Sequence, residues 1–210
     1  MEAAWVDRLE RRLGFLAMPG LPGFLCGMTI AVGLLGSFKP EFVSALILDP
    51  AALRAGQFWR ALTFVVVPPP GGALWLALWI LMQYSILSAL ETAWGDFKIT
   101  FFLLLGVLAT TGAAAATGGL FGNSYVMLAA FLAFARLLPD REVLVMFVLP
   151  VKLRWLAALT GMWLGLGLVV GGLLERAEIL SGLLPYLLFF GEDHLREVAA
   201  FWRRWRSTRP

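Results

Sequence analysis

Six apolar stretches of bilayer-spanning or near-spanning length constrain this chain more than any other feature. They fall near residues 21–38, 73–90, 99–117, 120–138, 155–172 and 177–190. About 20 apolar residues cover a hydrocarbon core of about 30 Å at a rise of about 1.5 Å per residue. The third and fourth stretches nearly merge. One helix through both would be roughly twice too long for the bilayer, so Gly118 and Gly119 mark a tight reversal. With 60% hydrophobic and only 15% charged residues, the chain has too little polar surface to cover a soluble globule of 210 residues. The expected fold class is an all-α polytopic membrane protein, a bundle of six transmembrane helices.

The basic residues orient that bundle. With a cytoplasmic N-terminus, the inner side receives Arg8, Arg11, Arg12, Lys98, Arg136, Arg141, Lys152, Arg154, Arg196, Arg203, Arg204, Arg206 and Arg209, which is 13 of the 17. The outer side receives Lys39, Arg54, Arg60 and Arg176. An asymmetry spread over every loop follows the positive-inside rule and places both termini in the cytoplasm. Usage of arginine over lysine points to a GC-rich bacterial genome, hence to the inner membrane.

Three regions follow. Residues 1–18 place Trp5, Leu9, Leu13 and Leu16 on one helical stripe, with Asp7, Arg8, Glu10 and Arg11 largely elsewhere, as an amphipathic helix lying in the membrane interface does. No small-residue cleavage site follows the first apolar run, which argues against a signal peptide. Residues 19–193 form the membrane domain. Residues 194–210 form a basic, aromatic cytoplasmic tail whose Trp and Arg side chains suit a helix end meeting anionic lipid better than nucleic acid. One cysteine, Cys26, and one histidine, His194, leave only scattered carboxylates to join them, so neither a metal nor another cofactor is expected.

The connection between the first two spans, KPEFVSALILDPAALRAGQFWRALTFVVVPPPGG, is too long and too apolar for a solvated link, and is expected to be embedded in the outer leaflet. Within it Asp49 and Pro50 read as a helix start, and three prolines, 68 to 70, end the following apolar run. The segment GQFWRALTFVVVPP resembles the first-loop Trp-Arg segment of the rhomboid superfamily, intramembrane serine proteases and their inactive relatives. SILSALETAWGDFKITFFLLLG is similar to the junction between that superfamily's second and third spans, with Glu91 at the helix end and Gly95 in the cytoplasmic turn. FARLLPDREVLVMFVLPVKLRWLAAL resembles the fourth loop of derlins, rhomboid-fold proteins without protease activity, where a polar step precedes an apolar hairpin and a basic re-entry. Together these cover about residues 41–193 and imply a rhomboid-like six-helix bundle with a membrane-embedded first loop. Trp59 and Arg60 then have a structural role: as interfacial anchors, or with Arg60 hydrogen-bonding loop carbonyls at membrane depth.

Rhomboid proteases carry a Gly-x-Ser-Gly motif at the start of the fourth span and a histidine in the sixth. Here Gly122, Asn123 and Ser124 match the first three positions, and Tyr125 replaces the last glycine. Tyr186 falls where the family histidine stands, with Ser181 and Pro185 at the small positions before it. Tyrosine, with a pKa near 10, is a poor general base at neutral pH. His194 follows the sixth span, at the opposite face from Ser124. Lys39 shares the outer face with Ser124 and is the one other base candidate, although a lysine at a span end ordinarily snorkels. A structural serine near a helix N-terminus, satisfying free N–H groups, is the plainer reading.

The resemblance therefore implies a derlin-like pseudoprotease that binds transmembrane or membrane-inserted segments of client proteins for membrane protein quality control or trafficking. The alternative is an active intramembrane serine protease using Ser124 with a base other than histidine. The apolar part of the sixth span, ILSGLLPYLLFF, has 12 residues, roughly 18 Å as a helix, which implies local bilayer thinning around Ser181 and Pro185; Pro185 can also open a lateral groove. Membrane lipids and client segments are the expected partners, nucleic acid is not, and the tail carries no recognisable recruitment box for an ATPase or protease. The spans hold too few ionisable residues for a transporter path.

Overall fold

The computed structural model describes residues 4–145 and 149–207; residues 1–3, 146–148 and 208–210, including Arg209, lie outside the described residues. The helices are α1 (Ala4–Leu13), α2 (Leu21–Phe38), α3 (Pro40–Ser44), α4 (Pro50–Arg54), α5 (Arg60–Thr63), α6 (Ala73–Trp94), α7 (Asp96–Thr117), α8 (Ser124–Leu137), α9 (Leu153–Val170) and α10 (Leu173–Ser207). Four of them, α2, α6, α7 and α9, are long and apolar enough to cross a membrane. Their surfaces agree: Met162, Val169 and Val170 of α9 are about 70% exposed, which suits a lipid solvent and not water.

Among the described residues, a single pair of strands accompanies the helices. Strands β1 (Glu142–Val145) and β2 (Leu149–Lys152) pair antiparallel, with Glu142 opposite Lys152 and Val143 opposite Val151. This short two-stranded ladder sits in an otherwise helical chain, in keeping with the all-α class expected. Its base is pinned by Asp140, whose carboxylate meets Lys152 at 3.6 Å and Arg154 at 3.3 Å. Both pairs are exposed and contribute little to stability, but they fix where α9 re-enters.

Single glycines make the two sharpest reversals. Gly95 is the one residue between α6 and α7 and has φ +81°; Gly118, with φ +75°, caps α7 before the turn into α8. A side chain at either would carry the steric cost of left-handed backbone.

Small residues allow α8 to sit at the centre. It packs on α6, α7, α9 and α10, and its Ala129, Ala130 and Ala133 are fully buried. Backbones approach closest where Gly182 of α10 meets Tyr125 of α8: a Cβ built on Gly182 would lie 2.4 Å from Tyr125 Cβ and 2.9 Å from its carbonyl carbon. Nearby, a Cβ on Gly106 of α7 would lie 2.9 Å from Val126 Cγ1 and 3.4 Å from the Pro185 ring. Without a hydrophobic driving force in lipid, such close van der Waals packing is what holds helices together.

Two features of the terminal segments stand out at the end where α1 lies. First, α1 is docked on the bundle as well as amphipathic: Val6 is buried, Trp5 packs edge-on against Phe101 and Phe189, and Asp7 meets Lys98 at 2.9 Å. Leu16, expected on the same stripe, lies beyond α1 in a 3-10 turn and is exposed. Second, residues 194–207 continue α10, which runs without a break through Pro185 to Ser207.

Replacing Gly182 with Ala is expected to destabilise the bundle by about 1–3 kcal/mol, the usual range for overpacking. Gly161→Ala on α9, where a Cβ meets nothing within 4 Å, is expected to leave stability unchanged or slightly raised. Thermal unfolding in detergent checks the pair.

Candidate functional site

The long loop between α2 and α6 is largely irregular backbone packed beside long apolar helices, and each N–H or C=O buried there without a partner is costly. Arg60 and Trp59 address this directly. Arg60 Nη1 donates to the carbonyl oxygens of Ser44 at 2.7 Å and Ile47 at 2.9 Å, while its Nε donates to Gln57 Oε1 at 2.7 Å. Trp59 Nε1 donates to Ala45 O at 3.2 Å, and Thr63 Oγ1 to Leu46 O at 3.1 Å. Four successive carbonyls, 44 to 47, thus receive side-chain donors. Asp49 caps α4 by accepting from Ala51 N and Ala52 N, with Pro50 at the first helical position.

Three further ties fasten the loop to the bundle. Thr111 Oγ1 donates to Ala61 O at 3.1 Å, Leu48 forms a β-bridge with Phe121, and Asn123 Nδ2 donates to Val65 O at 2.8 Å and Val67 O at 3.0 Å. Asn123 is buried. In the motif it stands at the variable position between Gly122 and Ser124, yet its carboxamide joins the first loop to the start of α8. A polar side chain inside an apolar run was the available signal.

Ser124 opens α8 beside these contacts. It is exposed, and it borders a cleft walled by Leu48, Phe64, Val67, the prolines 68 to 70 and Phe121. The cap bond expected of it is not made: the residue before the helix is Asn123, and α8 has no side-chain cap. Gly122 N–H donates to Glu178 Oε1 at 2.8 Å, a contact between α10 and the motif that the sequence did not signal. Among the described residues, no imidazole, lysine or carboxylate hydrogen-bonds the Ser124 hydroxyl.

The expected base candidates lie elsewhere. His194 belongs to α10, as does Gly182, the residue that abuts Tyr125. Twelve residues separate Gly182 from His194 along this helix, an axial distance of roughly 18 Å. His194 is engaged there: its Nε2 lies 2.7 Å from the Tyr186 hydroxyl and its Nδ1 3.8 Å from Glu197. Glu197 also pairs with Arg136 at the end of α8, Arg136 Nη1 lying 3.3 Å from Oε2. The Arg136 guanidinium holds the Glu197 carboxyl below the usual carboxylate range, with His194 adding a smaller pull in the same direction. Lys39 is exposed where α2 gives way to α3 and does not border the Ser124 cleft. Tyr186, the position aligned with the family histidine, thus faces the chain's histidine and not Ser124.

The other motif residues act at the end that carries α1. Glu91 Oε1 accepts from Gly20 N–H at 3.0 Å, joining the end of α6 to the start of α2, and Gly95 makes the turn already described. Ser181 and Pro185, expected at an open groove, are both buried. Ser181 Oγ donates to Glu178 O at 3.0 Å and the Pro185 ring packs towards Gly106. Gly182, between them, makes the close approach that the small-residue reading assigned to its neighbours. Among the described residues no three His, Cys, Asp or Glu side chains gather as a metal site.

No protein-family model matches this chain, and no curated protein matches it significantly.

Arg60→Ala leaves the Ser44 and Ile47 carbonyls without their donor and is expected to cost about 1–3 kcal/mol. Arg60→Lys recovers only part of this, since an ammonium lacks the planar fork. Hydrogen exchange localised to residues 44–63 checks it, with faster exchange expected in the order wild type, Lys, Ala.

Proposed function

We propose that this protein is a rhomboid-like pseudoprotease of the derlin type, which binds transmembrane or membrane-inserted segments of other proteins for quality control or trafficking. The observation that carries the reading is the setting of Ser124. A serine hydroxyl becomes a nucleophile when a neighbouring base takes its proton, and general-base assistance is worth about 10²- to 10⁴-fold. Here the imidazole is roughly 18 Å away along α10 and bonded to Tyr186. Asn123 is committed to loop carbonyls, and Tyr125 fills the place of the motif's last glycine, pressed against Gly182. Residues matching a catalytic motif serve as fasteners.

The proposed topology adds α8 and α10 to the four long apolar helices, giving six spans with both termini cytoplasmic in a bacterial inner membrane. With 14 residues, roughly 21 Å, α8 is short for a span, but its neighbours on four sides shield it from lipid. The apolar part of α10 is shorter still, and charges follow it from Glu192 onward. Support for the orientation comes from the clustering of α1, the α6–α7 turn and the Arg136–Glu197 pair at the end of the bundle that carries most of the arginines. The short apolar part of α10, whose Leu180, Leu184, Leu187 and Leu188 are exposed, favours a locally thinned bilayer, which eases the passage of polar client residues.

A fluorophosphonate probe tests the reading. Labelling of the reconstituted protein is expected to equal that of Ser124→Ala. Labelling that disappears on Ser124→Ala overturns it in favour of a serine protease with another base, and Lys39→Met then identifies or excludes that base.

A further inference from the structure

We infer that the cleft between α6 and α8 around Trp79 and Gln83 is a recognition site for a hydroxyl-bearing side chain, serine or threonine, on a client's transmembrane helix. The inference rests on the client-binding reading above and adds the chemistry by which a client is chosen.

Gln83 is the eleventh of the 22 residues of α6, roughly 15 Å from either end of the helix. In a spanning helix that is the middle of the hydrocarbon core. It is 2% exposed, and its Oε1 has no hydrogen-bond partner among the described residues. One turn earlier on the same face, the Trp79 indole N–H is also buried and also without a partner. An acceptor and a donor thus lie about one helical turn apart, on residues lining the same cavity, at a depth where each unpaired group is costly. A single hydroxyl satisfies both, accepting from the Trp79 N–H and donating to Gln83 Oε1.

The cavity beside them fixes the size of the group. It is about 10 Å³, room for one water-sized group, and is lined by Trp79, Met82, Gln83, Ile86, Leu87 and Met127. A hydroxyl enters, whereas a carboxamide or a charged group requires the walls to move. Those walls include two methionines, which adapt readily to an incoming side chain. Met82 is 45% exposed, so one wall of the cavity reaches the outer surface of α6.

Two model helices test this without altering the protein. Single-span leucine-rich peptides carrying either threonine or its isostere valine at the centre are titrated against the full-length protein in lipid vesicles by energy transfer. The threonine peptide is expected to bind about eight-fold more tightly, the average worth of two interhelical hydrogen bonds in lipid. Gln83→Leu and Trp79→Phe are each expected to reduce that preference towards one, while Ser124→Ala retains it. Equal binding of the two peptides to the wild-type protein overturns this inference and leaves client binding intact. Binding of neither overturns both. A preference for threonine that persists in Gln83→Leu and Trp79→Phe places the selectivity elsewhere and also overturns it.

Discussion

Pairing of the backbone polar groups of the long first loop is the constraint on which the rest of this structure depends. A loop of more than 30 residues between the first two long helices is sustainable in or against a bilayer only if its carbonyls are met. Arg60, Trp59 and Thr63 meet four in succession, and Asn123 meets two more from the start of α8. The loop therefore behaves as part of the bundle. The same bonds fix the start of α8, and hence the position of Ser124.

At the centre the governing term is closeness of approach. Alanines along α8, together with Gly106 and Gly182, let three backbones come near enough for extensive van der Waals contact. Tyr125 occupies the space this leaves beside α10 and stacks on Trp163 of α9. Around the other end, Trp94, Phe102, Phe189 and Phe190 form an aromatic cluster onto which α1 is laid through Trp5. The bundle is thus fastened by hydrogen bonds where its backbone is irregular and by rings and small residues where it is helical.

Much of this could be read from the residues. The apolar run 21–38 coincides with α2, and the starts of α6 and α9 fall within two residues of expectation, because hydropathy and length act locally. The roles of Gly95, Gly118 and Asp49 follow from local turn and cap chemistry. What could not be read depends on contacts distant in sequence. The docking of Val6, the Glu178 contact with Gly122 and the choice of Gly182 over Ser181 as the point of closest approach need the rotation of α10 about its own axis, which periodicity in an all-apolar helix does not reveal. The hairpin at 142–152 was expected to be apolar, but its strand pairing has no periodic signature in four-residue segments. The run of α10 past residue 190 was obscured by the change from apolar to charged composition, which ends a span but not a helix.

Function turns on where the imidazole lies relative to the hydroxyl, and a thiol placed at the hydroxyl's position reports that directly. In a Cys26→Ala background, the rate of alkylation of Ser124→Cys against pH gives the ionisation of that thiol. With no base or cation beside it, the rate is predicted to rise with a midpoint at or above the ordinary thiol value of about 8.5. A midpoint below about 7, the mark of a thiolate stabilised by an adjacent imidazolium or ammonium, would contradict the account.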